Sequence, residues 1–193
     1  DNGLGLIDMR GLDYNDEKWD ALLDQLTPSD YQTLITQSGY GTAAIKSVDK
    51  PSTTDRDSAT GLINYGFDAS GNLYFKGNIT HCGVIVLAQT YNDDLAYHYG
   101  ENIGDESYYL GVDGWYAPAV NMHRTAFSGR NSEYYSEDPF VGGHIASLEC
   151  EGVASRGMYV FVKHYAINDQ EDHRGDREGQ YSICLLYTSD AAD

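Results

Sequence analysis

The chain has 193 residues, enough for one domain with a core of its own. It carries 12 Lys and Arg against 30 Asp and Glu, a formal charge of −18. Such a surface repels phosphate backbones and anionic lipid, which argues against nucleic acid and membrane surfaces as partners. No apolar run approaches the roughly 20 residues of a membrane span. The three cysteines, Cys82, Cys150 and Cys184, are odd in number and lack CxxC spacing, so a disulfide framework is not expected. The 17 Tyr, 2 Trp and 5 Phe beside so many carboxylates suit a sugar site, where rings stack on CH faces and acids bind hydroxyls, but they suit an ordinary core equally well. The chain starts at Asp1 and not at Met, so an N-terminal piece is expected to precede it. The compartment stays open, with the cytoplasm slightly favoured over secretion.

In chain order, residues 1–40 read as an entry segment and a helical pair, with at most a short strand around residues 6–9. Trp19, Leu22, Leu23 and Leu26 fall at i, i+3, i+4 and i+7, which predicts a helix over 16–26. Thr27-Pro28-Ser29-Asp30 then supplies an N-cap, a proline at the first helical position and an acid at the third, with Gly39 suited to the C-cap. Pro51 demotes any strand near it. Residues 54–61, TDRDSATG, read on pattern alone as a polar turn. Asp68-Ala-Ser-Gly71 between residues 63–67 and 73–76 predicts a hairpin. The apolar, β-branched run at 83–88 predicts a strand buried on both faces. A helix capped by Asn92 or Asp93 is expected through Leu110, a strand over 112–120, a helix over 139–156 stopped by Gly157, and a buried strand over 158–162. Strands alternating with single helices imply βα units and a parallel sheet.

Chemistry gathers after the last two apolar runs. Asn121, His123, Arg124, Arg130 and Glu133 follow the first, and Lys163, His164, Asp169, Gln170, Glu171, Asp172, His173 and Arg174 follow the second. An ammonium at the end of a buried strand is costly unless it meets a partner. A solvated loop, a hydroxyl-binding site and a metal site on His164, Asp169, Glu171 and His173 all remain open for the second cluster, although its spacing matches no strong metal pattern. In the first cluster the guanidinium of Arg130 is a planar fork of donors, and Glu133 lies close enough in sequence to orient it.

In order, GWYAPAVNMHR, GRNSEYYSEDP and KHYAINDQEDHR resemble the N-terminal (β/α) barrel domain of glycoside hydrolase family 3, of the β-glucosidase type, from roughly Trp19 to Arg174. DRDSATGL sits where that family has a DGPxGL-like segment, with Ser58 and Ala59 in place of Gly and Pro. The β-N-acetylglucosaminidase branch follows its Lys-His with a Pro-Gly-His-Gly-like loop, where this chain has Tyr165-Ala-Ile-Asn. The resemblance implies that Asp57, Arg130, Lys163, His164 and Arg174 bind the nonreducing-end glycosyl unit. It also places the nucleophile in an SDW-like motif and the acid/base later still, and neither is found in these 193 residues.

The reading is therefore an α/β protein, an incomplete TIM-type (β/α) barrel of parallel strands and alternating helices. Residues 41–184 would be the partial barrel domain and 185–193 a non-native or disordered tail, resembling translated adapter sequence. The parent would be an exo-acting, retaining β-glucosidase acting on a small-molecule or oligosaccharide β-glycoside. No catalytic residue is expected in this fragment, and no metal or organic cofactor is implied. The rivals are a non-catalytic carbohydrate-binding protein and a metal-dependent hydrolase built on His164 and His173.

Overall fold

The computed structural model describes residues 2–75, 77, 79–165 and 168–169. The chain falls into two units, Asp1–Asp55 and Arg56–Asp193.

In the first unit, residues 6–9 are not a strand. They form one 3-10 turn, Leu6–Met9, closed by the Asp8 carboxylate accepting from the Gly5 N–H at 2.8 Å. A local side-chain acceptor thus captures backbone that a strand would have paired. Helix α1 spans Lys18–Leu23, shorter than expected because Thr27-Pro28 starts a new element. Helix α2, Pro28–Thr36, begins on the expected box: Thr27 Oγ1 accepts from Asp30 N at 3.2 Å, and Asp30 Oδ2 from Thr27 N at 2.8 Å. It ends at Gln37, two residues before Gly39. Met9, Leu22, Ile45 and Val48 make the core of this unit. Strands β1 (Gly41–Thr42) and β2 (Thr53–Asp57) pair antiparallel, Gly41 opposite Thr54. Gly41 has φ +146°, and a Cβ there would lie 2.1 Å from the Thr53 carbonyl oxygen, so only glycine fits. The supposed polar turn at 54–61 is thus strand through Asp57.

In the second unit, β3 (Tyr65–Phe67) and β4 (Leu73–Phe75) form the expected hairpin. Asp68 holds its turn by accepting from the Ser70 and Asn72 N–H groups, each at 2.8 Å. The run at 83–88 is not a strand but helix α3, Val84–Gln89. Its buried residues are Val84, Leu87 and Ala88, at i, i+3 and i+4, while Val86 is 56 % exposed. A short apolar run fits a strand or a buried helix equally by composition, and here packing on one face decided for the helix.

Helix α4, Asp93–Leu110, is capped by Asn92 Oδ1 accepting from Leu95 N at 2.9 Å and ends on Gly111 at φ +66°. Strand β5, Gly114–Tyr116, leads through a long loop to α5, Pro139–Ser155, which Asp138 caps, and then to β6, Tyr159–Val160. Strands β5 and β6 pair parallel, Gly114 opposite Tyr159 and Trp115 opposite Val160. Both are shorter than the expected 112–120 and 158–162. Pro118 has no N–H to give the ladder, and parallel pairing survives beyond it as single bridges from Ala119 to Lys163 and to Tyr134. This is one βαβ unit with α4 and α5 packed over it. Trp115, Ala117, Ile103, Ile145 and Val153 lie in the core between them. The architecture is α/β with parallel strands joined through a helix, and no barrel closes among the described residues.

Candidate functional site

Three strand ends position the polar groups. Asp57 is the last residue of β2, Asn121 follows β5, and Lys163-His164 follows β6. The loop between β5 and α5 adds Arg130 and, on a 3-10 turn Asn131–Glu133, Glu133. All lie at or beyond the C-terminal ends of their strands, the face on which barrel enzymes build their sites.

Lys163 is tied to its place by its backbone: its N–H donates to the Pro118 carbonyl at 2.9 Å, and its carbonyl accepts from Val120 N at 2.7 Å. Its largely buried ammonium donates to Asp57 Oδ1 at 2.6 Å, and Glu133 Oε2 lies 4.0 Å away. Glu133 accepts from Arg130 Nε at 2.5 Å, so one carboxylate faces two cations. Arg130 Nη2 in turn reaches His164 Nε2 at 3.3 Å. Asp57, Lys163, Glu133, Arg130 and His164 therefore form one continuous chain of alternating charge and hydrogen bonds. Such pairing is what makes burial of these groups tolerable, and it fixes a fork of donors beside an ammonium.

His164 is clamped by Asn121. Asn121 Oδ1 accepts from the His164 backbone N–H at 2.9 Å and lies 3.1 Å from Nδ1, and Asn121 Nδ2 donates to the His164 carbonyl at 3.4 Å. An Nδ1–H tautomer satisfies both sides, donating to Asn121 and accepting from Arg130 on Nε2. Burial pushes the His164 pKa below its ordinary value; Glu133 opposes this, and Arg130 and Lys163 add to it. The ring is accordingly neutral at neutral pH. Tyr134, fully buried, donates to the Asn168 carbonyl at 2.8 Å, and burial pushes its hydroxyl up to about 12. Ser128 donates to the Asp169 carbonyl at 3.0 Å. Asn131 Oδ1 and Asp169 Oδ1 are buried with no hydrogen-bond partner among the described residues.

Trp115 supports the Asp57 side. It is fully buried, and its indole N–H donates to the Ser58 carbonyl at 2.7 Å and to the Gly61 carbonyl at 3.0 Å. That pins the loop behind Asp57. His123, grouped with the polar cluster in the sequence, does structural work: its Nε2 meets the Tyr134 carbonyl at 2.8 Å and its N–H donates to the Ser136 carbonyl.

Of the residues singled out in the sequence, Asp57, Arg130, Lys163 and His164 thus come together. Arg174 lies outside the described residues, as do Gln170, Glu171, Asp172, His173, Cys184 and residues 185–193. Among the described residues, no three His, Cys, Asp or Glu side chains gather as metal ligands. No described helix is long and apolar enough to cross a membrane. The sequence did not signal Asn121 as a clamp or Trp115 as a support. Each acts across 43 or more residues of chain, on a partner that local spacing does not reveal.

Solved structures resemble this fold. β-Glucosidase 3B from Thermotoga neapolitana, in complex with α-D-glucose, matches with a TM-score of 0.69 and 34% identity over 80% of this chain and 24% of that one. A β-glucosidase from Kluyveromyces marxianus, in complex with glucose, matches with a TM-score of 0.72 and 26% identity over 80% of this chain and 18% of that one. Among curated proteins, β-glucosidase A of Butyrivibrio fibrisolvens is 39% identical over 97 residues, 50% of this chain and 12% of that protein. A putative β-glucosidase of Schizosaccharomyces pombe is 32% identical over 155 residues, 79% of this chain. The chain spans only 12% to 18% of the length of these two relatives. Residues 71–182 match the profile described as glycosyl hydrolase family 3 N terminal domain, and the chain belongs to that family.

Proposed function

We propose that this chain supplies the sugar-positioning side of the active site of an exo-acting, retaining β-glucosidase. The observation that carries this reading is the linked set Asp57, Lys163, Glu133, Arg130 and His164 at the ends of neighbouring strands. The ammonium and the guanidinium offer donors, and Asp57 offers an acceptor that is 43 % exposed on its side chain. A hexose presents vicinal hydroxyls that both donate and accept, and a fixed polar array binds them in one orientation. Neighbours of this fold in complex with glucose support the sugar class. Arg174 is proposed to join the set.

Retaining hydrolysis needs a nucleophilic carboxylate and an acid/base carboxyl about 5–5.5 Å apart. Asp57 and Glu133 are each engaged by cations, which suits orientation better than proton transfer. No Ser-Asp-Trp segment occurs in the 193 residues. The chain by itself is therefore expected to bind D-glucose without turning over an aryl β-glucoside. Calorimetric titration with glucose tests the site: Arg130→Ala and Lys163→Ala should each weaken binding at least about tenfold, one lost charge-assisted contact. Unchanged affinity in both would remove the site, and turnover by the chain alone would reassign the carboxylates. If a longer protein that contains this chain binds glucose but hydrolyses no β-glycoside, the non-catalytic carbohydrate-binding reading takes over.

A further inference from the structure

Outside that cluster, the first unit carries a cleft of about 450 Å³ lined by Tyr14, Asn15, Asp16, Trp19, Asp20 and Leu23. Its size falls in the range of small-molecule sites. Tyr14 is 90% exposed, so its ring contributes almost nothing to the core. Trp19 packs one side against the first unit's core, and its indole N–H is already committed to the Asp13 carbonyl at 3.1 Å. What it offers a ligand is ring surface in a fixed orientation. Leu23, 48% exposed, extends the apolar floor. Asp16, steadied by accepting from Lys18 N at 2.9 Å, Asp20 and the Asn15 amide supply the polar rim.

We propose that this cleft is a second sugar-binding site, taking a neutral β-linked gluco-oligosaccharide with one pyranose face on the Tyr14 and Trp19 rings. A sugar ring is apolar on its CH faces and polar at its edge, and the lining of this cleft supplies both kinds of partner, two aromatic rings with Leu23 and the oxygens of Asn15, Asp16 and Asp20. Two carboxylates with no cation among the lining residues repel phosphorylated or uronic sugars, so the ligand is neutral. The choice of a glucan, in place of another polyol, rests on the proposed β-glucosidase reading. Binding there would hold a chain-length substrate on the protein between cleavage events, raising its local concentration.

The chain has two tryptophans, and because Trp115 holds the loop behind Asp57, the ligand-induced fluorescence change is assigned to Trp19 by its loss in Trp19→Phe. Titration of the full 193-residue chain with cellotetraose should give a saturable shift. Tyr14→Ala, at a position too exposed to affect folding, should weaken it at least about tenfold, or 1.4 kcal/mol, and Asp20→Asn should weaken it as well. Arg130→Ala should leave it unchanged. The proposal is overturned if no saturable shift appears, if tetramethylammonium gives the response and the sugar does not, or if Arg130→Ala abolishes it. A cellotetraose shift that persists while glucose affinity is indifferent to Arg130 and Lys163 would count against the proposed function alone; the reverse pattern would count against the cleft alone.

Discussion

Ser58 holds its backbone at φ +137°, a region that side chains rarely adopt. Its N–H donates to Asp57 Oδ1 at 2.9 Å and its carbonyl accepts from Trp115, so the loop is fastened on both sides of the strained residue. The related segment has glycine at this place, and the torsion gives the physical reason: without a Cβ the same conformation costs little. Strain of this kind costs about 1–3 kcal/mol, partly offset by the extra entropy glycine loses on folding. Ser58→Gly is therefore expected to raise stability by about 1 kcal/mol, read as a higher denaturant midpoint at constant slope; an unchanged or lower midpoint would show the torsion to be unstrained. At this scale the sequence was informative where partners are close. Glu133 three residues after Arg130 announced their pairing, and the polar ends of two apolar runs announced Lys163 and His164. It was silent on Trp115 beneath Ser58 and on Asn121 around His164, because those contacts exist only once the sheet brings distant segments together.

The elements divide in the same way. Helices α4 and α5 were legible, α4 from a cap at Asn92 or Asp93 and α5 from its stop at Gly157, although Asp138, which caps α5, and Gly111, which ends α4, went unread. Helix α3 was not, because six apolar residues carry no period long enough to separate helix from strand. The crossing of α4 on α5 was also hidden, since it rests on glycines that read in sequence as weak helix formers. A Cβ on Gly100 would lie 2.0 Å from the Glu149 carbonyl oxygen, and one on Gly152 would lie 2.1 Å from that of Tyr97. The two backbones meet through the missing side chains, and neither carbonyl can move without breaking its own helix. Gly152→Ala is expected to destabilise by about 1–3 kcal/mol, the usual cost of overpacking, or more if the helices must separate. Gly143 on the same helix faces open space, so Gly143→Ala should stabilise by up to about 1 kcal/mol through helix propensity alone. Thermal melts of the two variants should move in opposite directions. A shift of both in the same direction would mean that propensity, and not the close crossing, governs α5.

For the molecule as a whole, the most consequential group away from the site is Glu149 on α5. It is fully buried, accepts from the Tyr135 hydroxyl through Oε2, and leaves Oε1 without a partner among the described residues. Among the described residues Tyr135, Tyr99 and Cys150 are the titratable groups around it, and none is a cation. Burial pushes its pKa from 4.5 up to about 8, with the Tyr135 hydrogen bond pulling weakly the other way. The sign follows directly. Between about 4.5 and about 8 the folded chain holds a proton there that the unfolded chain has released, so folding stability falls as pH rises across that window and levels off above it. At about 1.4 kcal/mol per unit, the loss is on the order of several kcal/mol, a large part of what holds an ordinary domain together. The other carboxylates of this chain of charge −18 are common to both variants, so they shape the absolute curve but not a difference between the two. Glu149→Gln keeps the shape and the acceptor for Tyr135 while removing the ionisation. Denaturant unfolding from pH 5 to pH 9 should show the variant matching the parent chain at the acid end and exceeding it increasingly toward the alkaline end. A gap that stays constant with pH would mean that Glu149 is already ionised in the fold, and the buried carboxyl would then require a cation that the described residues do not provide.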